Sequence, residues 1–128
     1  MILLAFTTGY MTNTRDFGTA CSNVVVNLVN EDTVNAATVT IQIFFSLVPD
    51  TKTPLYVTSV NLPANSIARR TFFIQGVLAY EVQYNVVSVA PANVVLSNFG
   101  LDQFGNVVQE HRVLQSELTT IPALSPVI

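Results

Sequence analysis

The chain contains few charged residues. Only 10% of its 128 residues are Asp, Glu, Lys or Arg, against roughly 25% in an ordinary soluble domain. Half of the residues are hydrophobic. A small domain of this composition cannot cover its own surface with charge. We therefore expect part of the surface to be covered by other copies of the chain.

Positive charge and long apolar runs are also scarce. The five basic residues are scattered and the net charge is −3, so no basic stripe indicates binding to nucleic acid. No apolar run approaches the roughly 20 residues of a membrane-spanning helix, and we expect no membrane insertion. The apolar start Ile2–Phe6 is shorter than the core of a secretory signal and has no basic residue before it.

The residues that usually carry catalysis or bind metals are almost absent. Cys21 and His111 are the only cysteine and the only histidine. Cys21 is therefore a buried small residue or half of an intermolecular disulfide. A pairing of Cys21 with His111 stays open, but no G-x-S-x-G motif or metal-ligand spacing supports it. We expect no enzyme activity, no cofactor and no metal site, and we expect His111 on a strand surface or at an interface.

Alternation of apolar and polar residues dominates the chain from residue 22 to residue 114, and this pattern predicts β-strands. Turn residues separate the strands, and Asn30-Glu31-Asp32 reads as such a turn rather than as a weak calcium site. In the second strand Ile41, Ile43 and Phe45 share one apolar face, so we expect them in the core. The predicted strands are 23–30, 37–47, 55–62, 67–74, 78–87, 94–101 and 107–114.

Seven short strands with frequent turns predict an all-β fold, an antiparallel β-sandwich of seven to eight strands. Immunoglobulin-like and jelly-roll topologies both stay open. We divide the chain into an N-terminal extension (1–21), the sandwich (22–114) and an apolar C-terminal tail (115–128). The extension either packs on its own sandwich or adds as a strand to a neighbouring subunit. The tail carries Pro122 and Pro126, which prevent a continuous ladder.

The segment from Asn23 to Leu101 resembles an immunoglobulin-like sandwich of bacterial surface proteins. The likeness rests on the first two strands, the turn sequence Val60–Ser66 and the strand sequence Ala79–Tyr84. In such domains a tyrosine hydroxyl on this strand bonds to the backbone upstream. The resemblance implies that Tyr80 has this structural role. The Cys–Trp–Cys set of antibody domains is absent.

Two further segments, Thr14–Ser22 and Arg112–Leu118, resemble small proteins of spore-forming Firmicutes. This likeness implies a subunit of the spore surface or of an endospore appendage, with an extracellular, cell-surface or spore-surface location. The chain lacks the N-terminal cysteine cluster of appendage pilins, and covalent cross-linking of that kind is therefore not implied.

We predict from these features a structural subunit that assembles into a filament by strand exchange or β-augmentation. Its partner is itself, with a surface or spore-coat protein as a possible anchor. A surface adhesin or carbohydrate-binding module is the alternative, and a virion or phage structural protein is a third. The predicted interface residues all lie in the two apolar end segments: Ile2, Leu3, Leu4, Phe6, Leu118, Ile121, Leu124 and Val127.

Overall fold

The computed structural model describes residues 1–14, 18–46 and 51–127. Strands make up most of this part of the chain, with two short 3₁₀ turns at Pro91–Asn93 and Gln115–Glu117. The strands are β1 (Ile2–Thr7), β2 (Met11–Thr12), β3 (Asn23–Asn30), β4 (Ala37–Ser46), β5 (Thr53–Leu62), β6 (Ser66–Phe73), β7 (Ala79–Ser88), β8 (Val94–Leu101), β9 (Val107–Val113) and β10 (Thr119–Ile121).

The strands form two antiparallel sheets that pack as a sandwich. The six-stranded sheet has the order β10-β1-β7-β4-β5, with β2 paired to β7. The four-stranded sheet has the order β6-β3-β8-β9. This architecture confirms the prediction of an all-β antiparallel sandwich. The described residues contain ten strands, because the end segments add β1, β2 and β10 to the seven strands that alternation predicts.

The core lies between the two sheets and is built from one face of each strand. In β4, Val39, Ile41 and Ile43 are fully buried, and Phe45 is partly buried against the same core. The intervening residues Gln42 and Phe44 point to the outer face of the six-stranded sheet, and yet both are buried as well. The outer face of this sheet is therefore covered near β4, which simple alternation does not predict.

The N-terminal segment belongs to the sandwich, which corrects the division of the chain at residue 21. β1 pairs with β7 from Ile2↔Ser88 to Thr7↔Gln83. Its other edge pairs with β10. Partners on both edges satisfy the backbone hydrogen bonds of residues 5–7 within one chain. β1 is thus an integral strand, and it would have to leave its own sheet to be donated to another subunit.

The C-terminal tail also returns to its own chain. β10 adds to β1 with the register Ala5↔Ile121 to Thr7↔Thr119. Beyond it, Ser125 hydrogen-bonds to the side chain of Gln83 on the outer face of β7. In the single chain the six-stranded sheet therefore orders the tail, although Leu118, Ile121, Leu124 and Val127 were predicted at an interface between subunits. Residues 15–17, 47–50 and Ile128 lie outside the described residues. The predicted end of the second strand, residue 47, is among them, and so is part of the segment Thr14–Ser22.

Candidate functional site

The predicted interface residues do not form one surface. Phe6 and Leu118 pack against the core of their own sandwich. Ile121 lies in β10, and Leu4 and Leu124 are half-buried. The exposed members are Ile2, Leu3 and Val127. Most apolar side chains of the end segments therefore pack against the rest of the same chain, because both segments lie on the six-stranded sheet.

A polar cluster on the outer face of the six-stranded sheet holds the tail in place. The Ser125 hydroxyl accepts hydrogen bonds from Gln83 Nε2 at 2.9 Å and from Lys52 Nζ at 2.7 Å. The Ser125 backbone N–H donates to Gln83 Oε1 at 2.8 Å. Gln83 is almost completely buried, so these bonds satisfy both ends of its amide.

Glu81 supplies the negative charge of this cluster. Lys52 Nζ lies 3.0 Å from Glu81 Oε1, and Glu81 Oε2 accepts from Gln83 Nε2 and from the Thr7 hydroxyl. Burial alone would raise the pKa of this carboxyl, but the hydrogen bonds from Gln83, Thr7 and Lys52 outweigh it and lower the pKa. Glu81 therefore stays ionised and paired, which is the state of a structural ion pair rather than of a general acid.

A cleft of about 340 Å³ opens beside this ion pair, lined by Tyr10, Ser46, Thr51, Lys52 and Ala79. Burial and the negative charge of Glu81 raise the pKa of the Tyr10 phenol. Tyr10 therefore offers a neutral hydroxyl and an aromatic face, and Lys52 offers a cation already shared with Glu81 and with the Phe44 ring, 4.8 Å away. The cleft can hold a small polar group but has no activated nucleophile among these five residues.

The structure brings Tyr80, His111 and Cys21 together inside the sandwich. The Tyr80 hydroxyl lies 2.7 Å from His111 Nδ1. Both Cys21 and His111 border Gly100. His111 is only 4% exposed, so the expectation of a surface or interface histidine is wrong. It is buried because β9 turns His111 inward, on the same face as Val113.

The partner of the Tyr80 hydroxyl differs from the one that the immunoglobulin resemblance implies. The hydroxyl meets a side chain of the opposite sheet rather than the backbone upstream. Burial strongly raises the pKa of Tyr80, with smaller effects from Cys21 and Tyr84, and the phenol therefore stays neutral. Tyr80 and Cys21 are fully buried, and the contact of Tyr80 with His111 fits a structural link between the sheets.

No group of three or more His, Cys, Asp or Glu side chains that could hold a metal ion occurs in residues 1–14, 18–46 and 51–127. In the same residues, no helix is long and apolar enough to cross a membrane. The absence of catalytic and cofactor-binding residues stays an expectation from the sequence.

The outer face of the four-stranded sheet carries exposed apolar residues on β6 and β8, whereas Val25 at its centre is buried. Its residues alternate with the core residues of β3, β6 and β8. Ile67 and Phe73 are 78% and 59% exposed, and Val95 is 40% exposed. The register places the outward residues in four rows: Ile67–Val29–Val95, Arg69–Asn27–Ser97, Thr71–Val25–Phe99 and Phe73–Asn23–Leu101. We call these rows the open face. Sequence alternation identified the strands, but it did not show which of the two outer sheet faces would remain exposed to solvent.

A second exposed apolar area lies at the start of β1. Ile2, Leu3 and Val89 are about half exposed, and Met1 is more exposed. Val89 is close to Ile2, because it follows Ser88, the β7 residue that pairs with Ile2. We call these four residues the β1 end patch. It belongs to the six-stranded sheet, whereas the open face belongs to the other one. The molecule therefore carries two separate apolar surfaces.

No protein family model matches this chain, and no curated protein matches it. Among solved structures, the crystal structure of Thermotoga maritima 1070 is similar, with 16% identity over 92% of this chain and 90% of that one, and a TM-score of 0.44. The Anabaena sensory rhodopsin transducer matches at 14% identity over 80% of this chain and 90% of its own, with a TM-score of 0.42. Both scores are below 0.5, and neither likeness informs the function.

Proposed function

We propose that this chain is a structural subunit that assembles with copies of itself. The observation that carries the proposal is the contrast between the two outer sheet faces. On the six-stranded sheet, Phe44, Glu81 and Gln83 are buried, and the tail binds there. On the four-stranded sheet, Ile67, Phe73 and Val95 remain exposed, although Val25 is buried. Exposed apolar side chains on one sheet face favour an association site there.

Two separate surfaces favour a polymer over a closed dimer. A contact that joins identical surfaces closes after two copies, and an open array needs a second contact elsewhere on the molecule. The β1 end patch is one place for that contact. The edge of β5 is another, since among the described strands this ten-residue strand pairs with β4 alone and can accept a strand by β-augmentation. A filament on a cell or spore surface, held by an anchor protein, is the form we propose.

Assembly through exposed surfaces needs no exchange of β1. Donating β1 would break its pairing with both β7 and β10, and the free energy of those contacts would have to be recovered in the partner. For this reason we favour packing of surfaces and strand addition at the open edge over exchange of the N-terminal strand.

Light scattering after size-exclusion chromatography, over a hundredfold range of concentration, tests the proposal together with negative-stain electron microscopy. We expect the mass to rise with concentration and filaments to appear at the upper end. A monomer at every concentration would refute self-assembly. That result would favour a binding module, for which the cleft beside Lys52 and Tyr10 is one candidate site.

A further inference from the structure

We infer that two copies pack through the open face about a two-fold axis that runs parallel to the strands, between β3 and β8. This inference rests on the proposed self-assembly and names the surface, the partner and the geometry. β3 and β8 are the two inner strands of the four-stranded sheet. With the axis between them, β3 of each copy lies over β8 of the other, and each row meets the same row of the partner.

Matching of rows selects this axis. Val29 of one copy then meets Val95 of the other, and Asn27 meets Ser97. Apolar residues therefore meet apolar residues in the Val29–Val95 and Val25–Phe99 rows, and the Asn27 and Ser97 side chains can hydrogen-bond. In the last row Asn23 meets Leu101. An axis perpendicular to the strands would place Asn27 on Val25 and Asn23 on Val29, which buries twice as many amides against apolar side chains.

Charge is compatible with the same arrangement. Arg69 is the one charged residue in the four rows, and it lies on β6, at the edge of the sheet. The same axis lays β6 over β9 of the other copy, whose exposed residues include Glu110 and Arg112, so the edge of the contact holds charges of both signs. Strand spacing near 4.8 Å and sheet spacing near 10 Å put the two Arg69 residues of the dimer roughly 17 Å apart. This distance exceeds the screening length of about 8 Å at physiological salt, so the two cations repel each other only weakly.

The size of the open face predicts the strength of the contact. Three to four strands of eight residues cover roughly 15–19 Å by 26 Å, or on the order of 400–500 Å² of planar area per copy. Stable interfaces bury about 800 Å² per partner. We therefore expect a weak dimer, in the micromolar range, that is stabilised by the other contacts when the subunit is in a polymer.

Sedimentation velocity of Val95→Lys tests the surface. We expect the dimer dissociation constant to rise at least tenfold, because a lysine would be buried in an apolar row. Val34→Lys is the matched control, since Val34 is 81% exposed and lies in the loop between β3 and β4, and it should dimerise like the unchanged chain. Circular dichroism melting checks that both variants fold.

Charge complementation tests the axis. Val29→Glu and Val95→Lys are prepared separately, and each should weaken dimerisation because it places a charge in an apolar row. We expect the mixture to dimerise more tightly than either variant alone, because this axis lays the two positions over each other. A mixture that dimerises no better than the single variants would overturn the axis. Unchanged dimerisation of Val95→Lys would overturn the open face as the interface while the proposed self-assembly stands, whereas a chain that is monomeric at every concentration would overturn both.

Discussion

The hydroxyl of Tyr80 lies 2.7 Å from Nδ1 of His111, and this contact joins the inner faces of the two sheets. Tyr80 belongs to β7 in the six-stranded sheet, and His111 belongs to β9 in the four-stranded sheet. Their rings also stack, with centroids 5.5 Å apart. A directional bond between two buried side chains sets the sheets in one relative position, which apolar contacts alone specify less sharply.

Replacing Tyr80 with phenylalanine removes the hydroxyl and keeps the ring. Nδ1 of His111 then loses this partner in a buried site, and we expect the free energy of unfolding to fall by about 1–3 kcal/mol. Urea denaturation measures the change. Tyr10→Phe is the control, because Tyr10 is exposed and its replacement should change stability by less than about 0.5 kcal/mol. Equal stabilities of the two variants would contradict a structural role for the Tyr80–His111 contact.

Gly100→Ala tests how closely β8 approaches its neighbours. A Cβ at this position would overlap Cys21 Sγ and would lie 3.0 Å from His111 Cβ. We expect a loss of about 1–3 kcal/mol from overpacking. Adding Cys21→Ala removes the sulfur and should recover part of the loss, which a double-mutant cycle measures as coupling between the two sites. Strict additivity of the two substitutions would show that Cys21 does not limit the space at Gly100.

Asp32 should make stability depend on pH in the acid range. Its carboxylate accepts hydrogen bonds from the backbone N–H groups of Asn35 and Val34 and from the Asn35 side chain. These bonds lower its pKa from 3.8 to about 2. The folded state thus favours the ionised form. The resulting stabilisation is fully present above pH 4 and is lost as the pH falls through about 2.

An NMR titration of the Asp32 carboxyl carbon should give a midpoint near 2, and a midpoint near 4 would argue against these hydrogen bonds. Unfolding measured from pH 5 to pH 2 provides the second test. Asp32→Asn should show a smaller decrease in stability over that range than the unchanged chain. The acid sensitivity that remains comes from other carboxyls such as Glu81, whose pKa is also lowered.

A chain that ends at Ser116 tests where the tail binds. The truncation removes β10 and the three hydrogen bonds of Ser125 with Gln83 and Lys52. We expect lower stability but unchanged self-association of the folded protein, because the open face lies on the other sheet. Ser125→Ala is a milder variant and should cost about 0.5–1.5 kcal/mol. If truncation left stability unchanged and abolished association, the tail would be a contact between subunits.

Local pattern was enough to predict the seven strands of the sandwich body. The bounds predicted for β3 and β8, residues 23–30 and 94–101, coincide with those observed. Alternation and turn residues are local signals, and each strand carries its own. Turn chemistry is equally local, as at Asn65, whose φ of 52° suits the turn between β5 and β6.

Pairing between distant segments depended on the tertiary structure. The sequence of β1 allowed a strand on its own sandwich or on a neighbour, and only the positions of β7 and β10 decided between them. The inward position of His111 against Tyr80 was hidden for the same reason, since alternation shows which residues share a face but not which face meets the other sheet.

The open face shows most clearly the difference between what local sequence signals determine and what the tertiary structure decides. The sequence by itself determined that the chain is an all-β sandwich with too few charges to cover its surface. It could not determine which apolar residues stay exposed, because that depends on where the tail binds. By pairing with Gln83 and Lys52, the tail covers the six-stranded sheet, and Ile67, Phe73 and Val95 on the opposite side remain exposed.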